Sequence, residues 1–154
     1  MSAVRFFTAA FASLALVTGI GVSTATAAPA VDPIQTFRNV ATGKCLDDSF
    51  GAGVRTHPCN YGPAQQWSVH AWNDGTRRLQ NAATGRCLSL VGLASVGIAT
   101  CNSSEEQSWF PFHDEYGRVA FENQASVRAS CLDDSFEFGL RVIGCNYQGW
   151  QMWA

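Results

Sequence analysis

Charge is scarce in this sequence. Asp, Glu, Lys and Arg make up only 14% of its 154 residues, and the formal net charge is −2. No run of Lys or Arg and no basic patch occurs anywhere. That argues against a nucleic-acid partner, because such binding rests mainly on neutralising phosphates. No glycine-rich phosphate loop is present. The three histidines, His57, His70 and His113, have no metal-ligand spacing, so neither a metal nor a cofactor is expected. Residues 28–154 show no sustained helical period. After the N-terminal segment no apolar run is long enough to suggest a membrane span.

The N-terminal segment reads as an address. Arg5 is its only charge, and an apolar, small-residue run from Phe6 to Val22 follows. Ala25-Thr26-Ala27 fits the small-x-small rule of a secretory signal. Cleavage after Ala27 is expected; a cut after Ala28 would leave Pro29 next, which is disfavoured. An uncleaved membrane anchor is the alternative. Residues 1–27 are thus assigned as signal peptide, 28–33 as a short tail and 34–154 as one domain of a secreted protein. Without Arg5, nine basic residues face twelve acidic ones, a formal charge of −3.

Six cysteines in an exported chain point to disulfides. Cys45 to Cys59, Cys87 to Cys101 and Cys131 to Cys145 are each fourteen residues apart. After each second cysteine comes Asn (Asn60, Asn102, Asn146), then Gln-x-Trp five positions on: Gln65 and Trp67, Gln107 and Trp109, Gln151 and Trp153. The period is 42 residues and then 44. Three copies are therefore present, at about 34–75, 76–117 and 118–154, and pairing within each copy is expected.

Each copy reads as short strands between turns. In the first these are Ile34–Asn39, Lys44–Asp47, Val54–Cys59 and Gln66–Ala71, with turns at Thr42-Gly43 and Gly51–Gly53. Asn73–Gly75 and His113–Gly117 punctuate the boundaries between copies. No unit of about 42 residues buries a core alone, but three can share one. About twelve strands in three units favour an all-β fold, a β-trefoil with pseudo-threefold symmetry, over a propeller, which wants at least four blades. Gln and Trp occur in every copy and read as scaffold, the tryptophans as a core ring.

Copies one and three share more. Asp47-Asp48-Ser49-Phe50 matches Asp133-Asp134-Ser135-Phe136, Arg55 matches Arg141, and Tyr61 matches Tyr147. Copy two has Ser89, Gly97 and Ser103 at the positions of the first Asp, the Arg and the Tyr. What one unit can lose the fold does not require, so this set reads as two working sites and one degenerate one. Carboxylates and amides suit hydroxyl-rich ligands, and aromatic rings suit the C–H face of a sugar.

Cys-Leu-Asp, the cysteine spacing and three Gln-x-Trp signatures together resemble the ricin B-type family of trefoil lectins, over residues 34–154. The resemblance implies a glycan or polysaccharide partner and no catalytic machinery. It also implies that the aspartate two after the first cysteine binds sugar, which points to Asp47 and Asp133. Strand alternation would turn Asp47 outward and Asp48 away from it. Local similarity to trefoil lectins for high-mannose glycans adds Arg55, His57 and Asn60, with Arg141, Ile143 and Asn146. Phe50, Tyr61, Phe136 and Tyr147 are the candidate sugar platforms. Two alternatives stand beside this reading: a secreted trefoil inhibitor or protein-interaction module, and plain strand-to-strand Asp–Arg ion pairs with no ligand.

Overall fold

The computed structural model describes residues 31–154. The expected signal peptide, and residues 28–30 of the expected tail, lie outside the described residues. Each copy contributes a hairpin tied by its own disulfide. In copy one β2 (Cys45–Ser49) pairs with β3 (Gly53–His57). Copy two pairs β6 (Cys87–Val91) with β7 (Ser95–Ala99), and copy three pairs β10 (Ser130–Ser135) with β11 (Gly139–Gly144). Bonds join Cys45 to Cys59, Cys87 to Cys101 and Cys131 to Cys145. Each closes a loop of about 15 residues, which the chain-entropy model values at roughly 3 kcal/mol.

A second set of hairpins crosses the boundaries between copies. β4 (Trp67–Ala71) pairs with β5 (Arg77–Asn81), and β8 (Trp109–His113) pairs with β9 (Val119–Asn123). β1 (Ile34–Gln35) lies along β4. The last residues close the ring: Arg38 and Ala154 exchange backbone hydrogen bonds, each of 2.8 Å, and Trp153 bridges both Asn39 and Val119. The architecture is all-β, a β-trefoil.

Several boundaries differ from the sequence expectation. The described residues hold eleven strands rather than about twelve, the last position being held only by the bridges at Trp153. The strand expected over Ile34–Asn39 stops at Gln35 and resumes as single bridges at Arg38 and Asn39. Asn39 ends it by accepting the backbone N–H groups of Ala41 and Thr42 on its side-chain oxygen. β3 ends at His57, the same repeat position at which β7 ends at Ala99. Two single 3-10 turns, Pro63–Gln65 and Glu105–Gln107, had no periodic signature.

The core is built from threefold sets. Trp67, Trp109 and Trp153 are fully buried, as are Leu46, Leu88 and Leu132. Each indole N–H donates to its leucine carbonyl, at 3.0, 3.3 and 3.3 Å. Each core glutamine clamps the turn ahead of its tryptophan. Gln65 accepts the N–H of Asn60 and donates to the carbonyl of Pro58. Gln107 and Gln151 repeat this with Asn102 and Thr100, and with Asn146 and Gly144. These buried polar groups are satisfied, so they specify the fold without a desolvation penalty. No helix among the described residues is long and apolar enough to cross a membrane.

Candidate functional site

The disulfide-tied hairpins position the candidate groups. Register sets Asp47 opposite Arg55 and Asp133 opposite Arg141. Across each ladder the arginine Nε donates to one carboxylate oxygen, at 3.1 Å in copy one and 2.9 Å in copy three. The expected outward Asp47 is not what the structure holds. Asp47 and Asp133 are buried, as is Ser89 at the same position of copy two where glycine stands opposite, so the hairpin itself encloses this position; the arginines stay partly exposed.

Their neighbours Asp48 and Asp134 are fully buried and do different work. Asp48 accepts from the Thr84 hydroxyl and from Arg86 Nη2 at 2.6 Å, both in the next copy. Asp134 accepts from the hydroxyls of Thr42, at 2.5 Å, and Thr56, at 2.9 Å, in copy one. They are clasps between copies. Copy two has Leu90 here, and the loop it faces, Asn123 to Cys131, is the one two residues longer.

Other candidates are placed apart from the Asp–Arg pair. Asn60 and Asn146 spend their side-chain oxygens on turns, accepting the N–H groups of Gly62 and Gln148 at 2.9 Å. Asn102 does the same for Ser104 in copy two, so the bond belongs to the scaffold. His57 is half-buried, its Nδ1 lying 3.2 Å from the carbonyl oxygen of Pro58. Tyr61 and Tyr147 have left-handed backbones, φ 58° and 56°. Such a conformation costs about 1–3 kcal/mol for a non-glycine residue. It brings each tyrosine N–H to the core glutamine, at 3.1 Å in both copies, a bond that Ser103 in copy two lacks. The Tyr147 ring packs edge-on against Phe112, over a cavity of about 270 Å³ shared with His113 and Met152. It is not brought to Arg141.

What the sequence reading missed, Phe138 and Trp150, sits beside Arg141 and the expected platform Phe136. Phe136, Phe138, Trp150, Glu137 and Ser135 join Arg141 around a cavity of about 370 Å³. The Arg141 guanidinium lies 4.5 Å over the Phe138 ring, and Phe136 meets Trp150 edge-on at 5.7 Å. Lys44 of copy one stands 5.8 Å from the Phe136 ring. On copy one's hairpin Arg86, from copy two, stands over Phe50 at 5.5 Å, but Ala52 and Ala64 occupy the positions of Phe138 and Trp150. A search for what copies one and three share discards both aromatics. Among the described residues no group of three or more His, Cys, Asp or Glu could hold a metal ion.

Residues 27–95 match the family model described as ricin-type beta-trefoil lectin domain-like. Solved structures share the fold at low identity. ThreeFoil, a designed threefold-symmetric protein, aligns with a TM-score of 0.68 and 19% identity over 78% of this chain and 95% of its own. BEL beta-trefoil aligns with a TM-score of 0.69 and 14% identity, over 81% and 92%. The GlcNAcα1-4Gal releasing endo-β-galactosidase from Clostridium perfringens aligns with a TM-score of 0.68 and 20% identity over 79% of this chain, which spans only 31% of that enzyme. At such identities the likeness concerns the fold alone. No curated protein matches the chain.

Fold and site thus define a β-trefoil with a repeated Asp–Arg hairpin. Its sequence resembles the ricin B-type lectins, most directly across the first copy and part of the second.

Proposed function

We propose that the protein is a secreted lectin, binding glycans at Asp47–Arg55 of copy one and Asp133–Arg141 of copy three, with no catalytic groups of its own. One observation carries this reading. A buried carboxylate is held by a partly exposed arginine, on a hairpin whose turn carries an exposed phenylalanine, in two copies of three, while the same hairpin folds in the third without any of them. The lectin-like domain and the three disulfides fit an extracellular carbohydrate-binding module.

The chemistry follows from the pair. Arginine Nε fixes one carboxylate oxygen, so the carboxylate is orientated before any ligand arrives. Its second oxygen makes no hydrogen bond among the described residues and can accept from a hydroxyl. The guanidinium Nη groups can donate to a neighbouring hydroxyl oxygen. Two adjacent sugar hydroxyls then meet one acceptor and one donor, both charge-assisted. Phe50 or Phe136 is positioned to cover the apolar face of the ring. Each shallow site is expected to be weak, about millimolar to tens of micromolar, or near −4 to −6 kcal/mol. Two sites on one rigid body supply avidity on a multivalent glycan.

A glycan array run beside a protease panel separates a lectin from an inhibitor. Saccharide binding that falls in Asp47→Ala and Asp133→Ala is the expected result. Protease inhibition with a silent array would reverse the assignment.

A further inference from the structure

We infer, taking the lectin reading as its basis, that copy three is the principal site and selects neutral oligosaccharides by stacking on Phe136, Phe138 and Trp150.

The Trp150 carbonyl accepts the side-chain N–H of Asn39 at 2.8 Å. Ala64 and Glu106 offer the same carbonyl to Asn81 and Asn123, at 2.8 and 2.9 Å. The backbone of this position is scaffold, yet its side chain is Ala, Glu or Trp. Phe138 likewise stands where copies one and two have Ala52 and Ala94. Neither aromatic is needed to build the hairpin, and neither enters the core. Phe136 is 69% exposed, Phe138 60% and Trp150 38%. Exposed aromatic surface of this kind marks binding rather than packing. These rings border the same cavity as Arg141, which is itself tied to the candidate carboxylate.

Charge decides the class of ligand. Arg141 is neutralised by Asp133, Glu137 lines the cavity, Lys44 stands over the Phe136 ring, and the buried Asp134 lies next to Ser135. The formal sum of these groups is −1, so an anionic sugar gains no net attraction. Three rings along one cavity offer more apolar contact than one pyranose covers, which favours a chain of at least two rings. Copy one, with Phe50 and no equivalent of Phe138 or Trp150, can stack only one.

The test uses soluble trisaccharides, whose small size excludes avidity: those of mannose, galactose, glucose, xylose and N-acetylglucosamine, with the galacturonate trimer as the acidic probe. Calorimetry on the full protein is expected to find a neutral trisaccharide bound more tightly than the galacturonate trimer. Phe138→Ala and Trp150→Ala should each weaken it about tenfold, and Ser89→Ala, in copy two, less than threefold. Unchanged melting temperatures would show that these exposed positions left the fold intact. Wild-type affinity in both aromatic variants alongside loss in Asp133→Ala would overturn the stacking inference and leave the lectin reading standing. So would preference for the galacturonate trimer, or a tightest site that Asp133→Ala leaves intact. No binding of any trisaccharide, with an array that is also silent, would overturn the lectin reading and the inference together.

Discussion

Copies two and three run the same backbone through the same bonds and carry different surfaces. Each has its disulfide, its buried Leu–Trp pair and its glutamine clamp. Copy three adds Asp133 and Arg141; copy two has Ser89 and Gly97. The loss goes beyond two side chains. A Cβ at Gly97 would lie 2.4 Å from Val91 Cγ2, where copies one and three have serine. Val91 fills space that the arginine stem would need. Copy two has therefore filled the position of the proposed site, and the threefold fold persists without it.

The comparison is broken most severely through what the copies share. Trp109→Ala should cost about 3–5 kcal/mol, as for other buried large-to-small changes, although copy two carries no proposed site. A thermal melt reads this directly, and an unchanged melting temperature would remove the tryptophan ring as a structural element. Next is the clasp. Asp48→Ala should cost about 2–3 kcal/mol, since it removes charged hydrogen bonds to Thr84 and Arg86. Denaturant midpoints would show that loss. Trisaccharide affinity of copy three should stay unchanged, which separates Asp48 from Asp133.

Rebuilding copy two sharpens the contrast further. Gly97→Arg alone should destabilise by about 0.5–1.5 kcal/mol, the cost of pushing the exposed Val91 side chain off its rotamer. Combining it with Val91→Ser and Ser89→Asp should recover the stability and add a third Asp–Arg pair, counted as a third saccharide site. Recovery without binding would mean that the pair is an ion pair and nothing more. Ser89→Ala should leave saccharide binding untouched.

These contrasts also show why some of the molecule was legible in its sequence and some was not. Trp67, Trp109 and Trp153 stood out because identical spacing in three copies has few explanations besides a shared core. Asp47 and Arg55 stood out because β2 and β3 are joined by a short turn, so their pairing is local. Strand alternation set Asp48 apart from Asp47 but could not name its partners, because Thr84 and Arg86 lie a whole copy away. Asn60 and Asn146 look like ligand amides until Asn102 is seen making the same turn. Tyr147 meets Phe112 across a boundary between copies, which no comparison within a copy reveals. Phe138 and Trp150 are legible only as departures, since each occurs in one copy alone.

The central claim is that Asp47 and Asp133 each serve one saccharide site. Calorimetry with a monosaccharide chosen on the glycan array, carried to saturation, counts the sites. Two sites per chain are expected in the wild type, one in Asp47→Ala, one in Asp133→Ala and none in the double variant, with charged hydrogen bonds of about 1.5–3 kcal/mol setting the size of each loss. Undiminished binding by a folded double variant would contradict the account and return both aspartates to the scaffold.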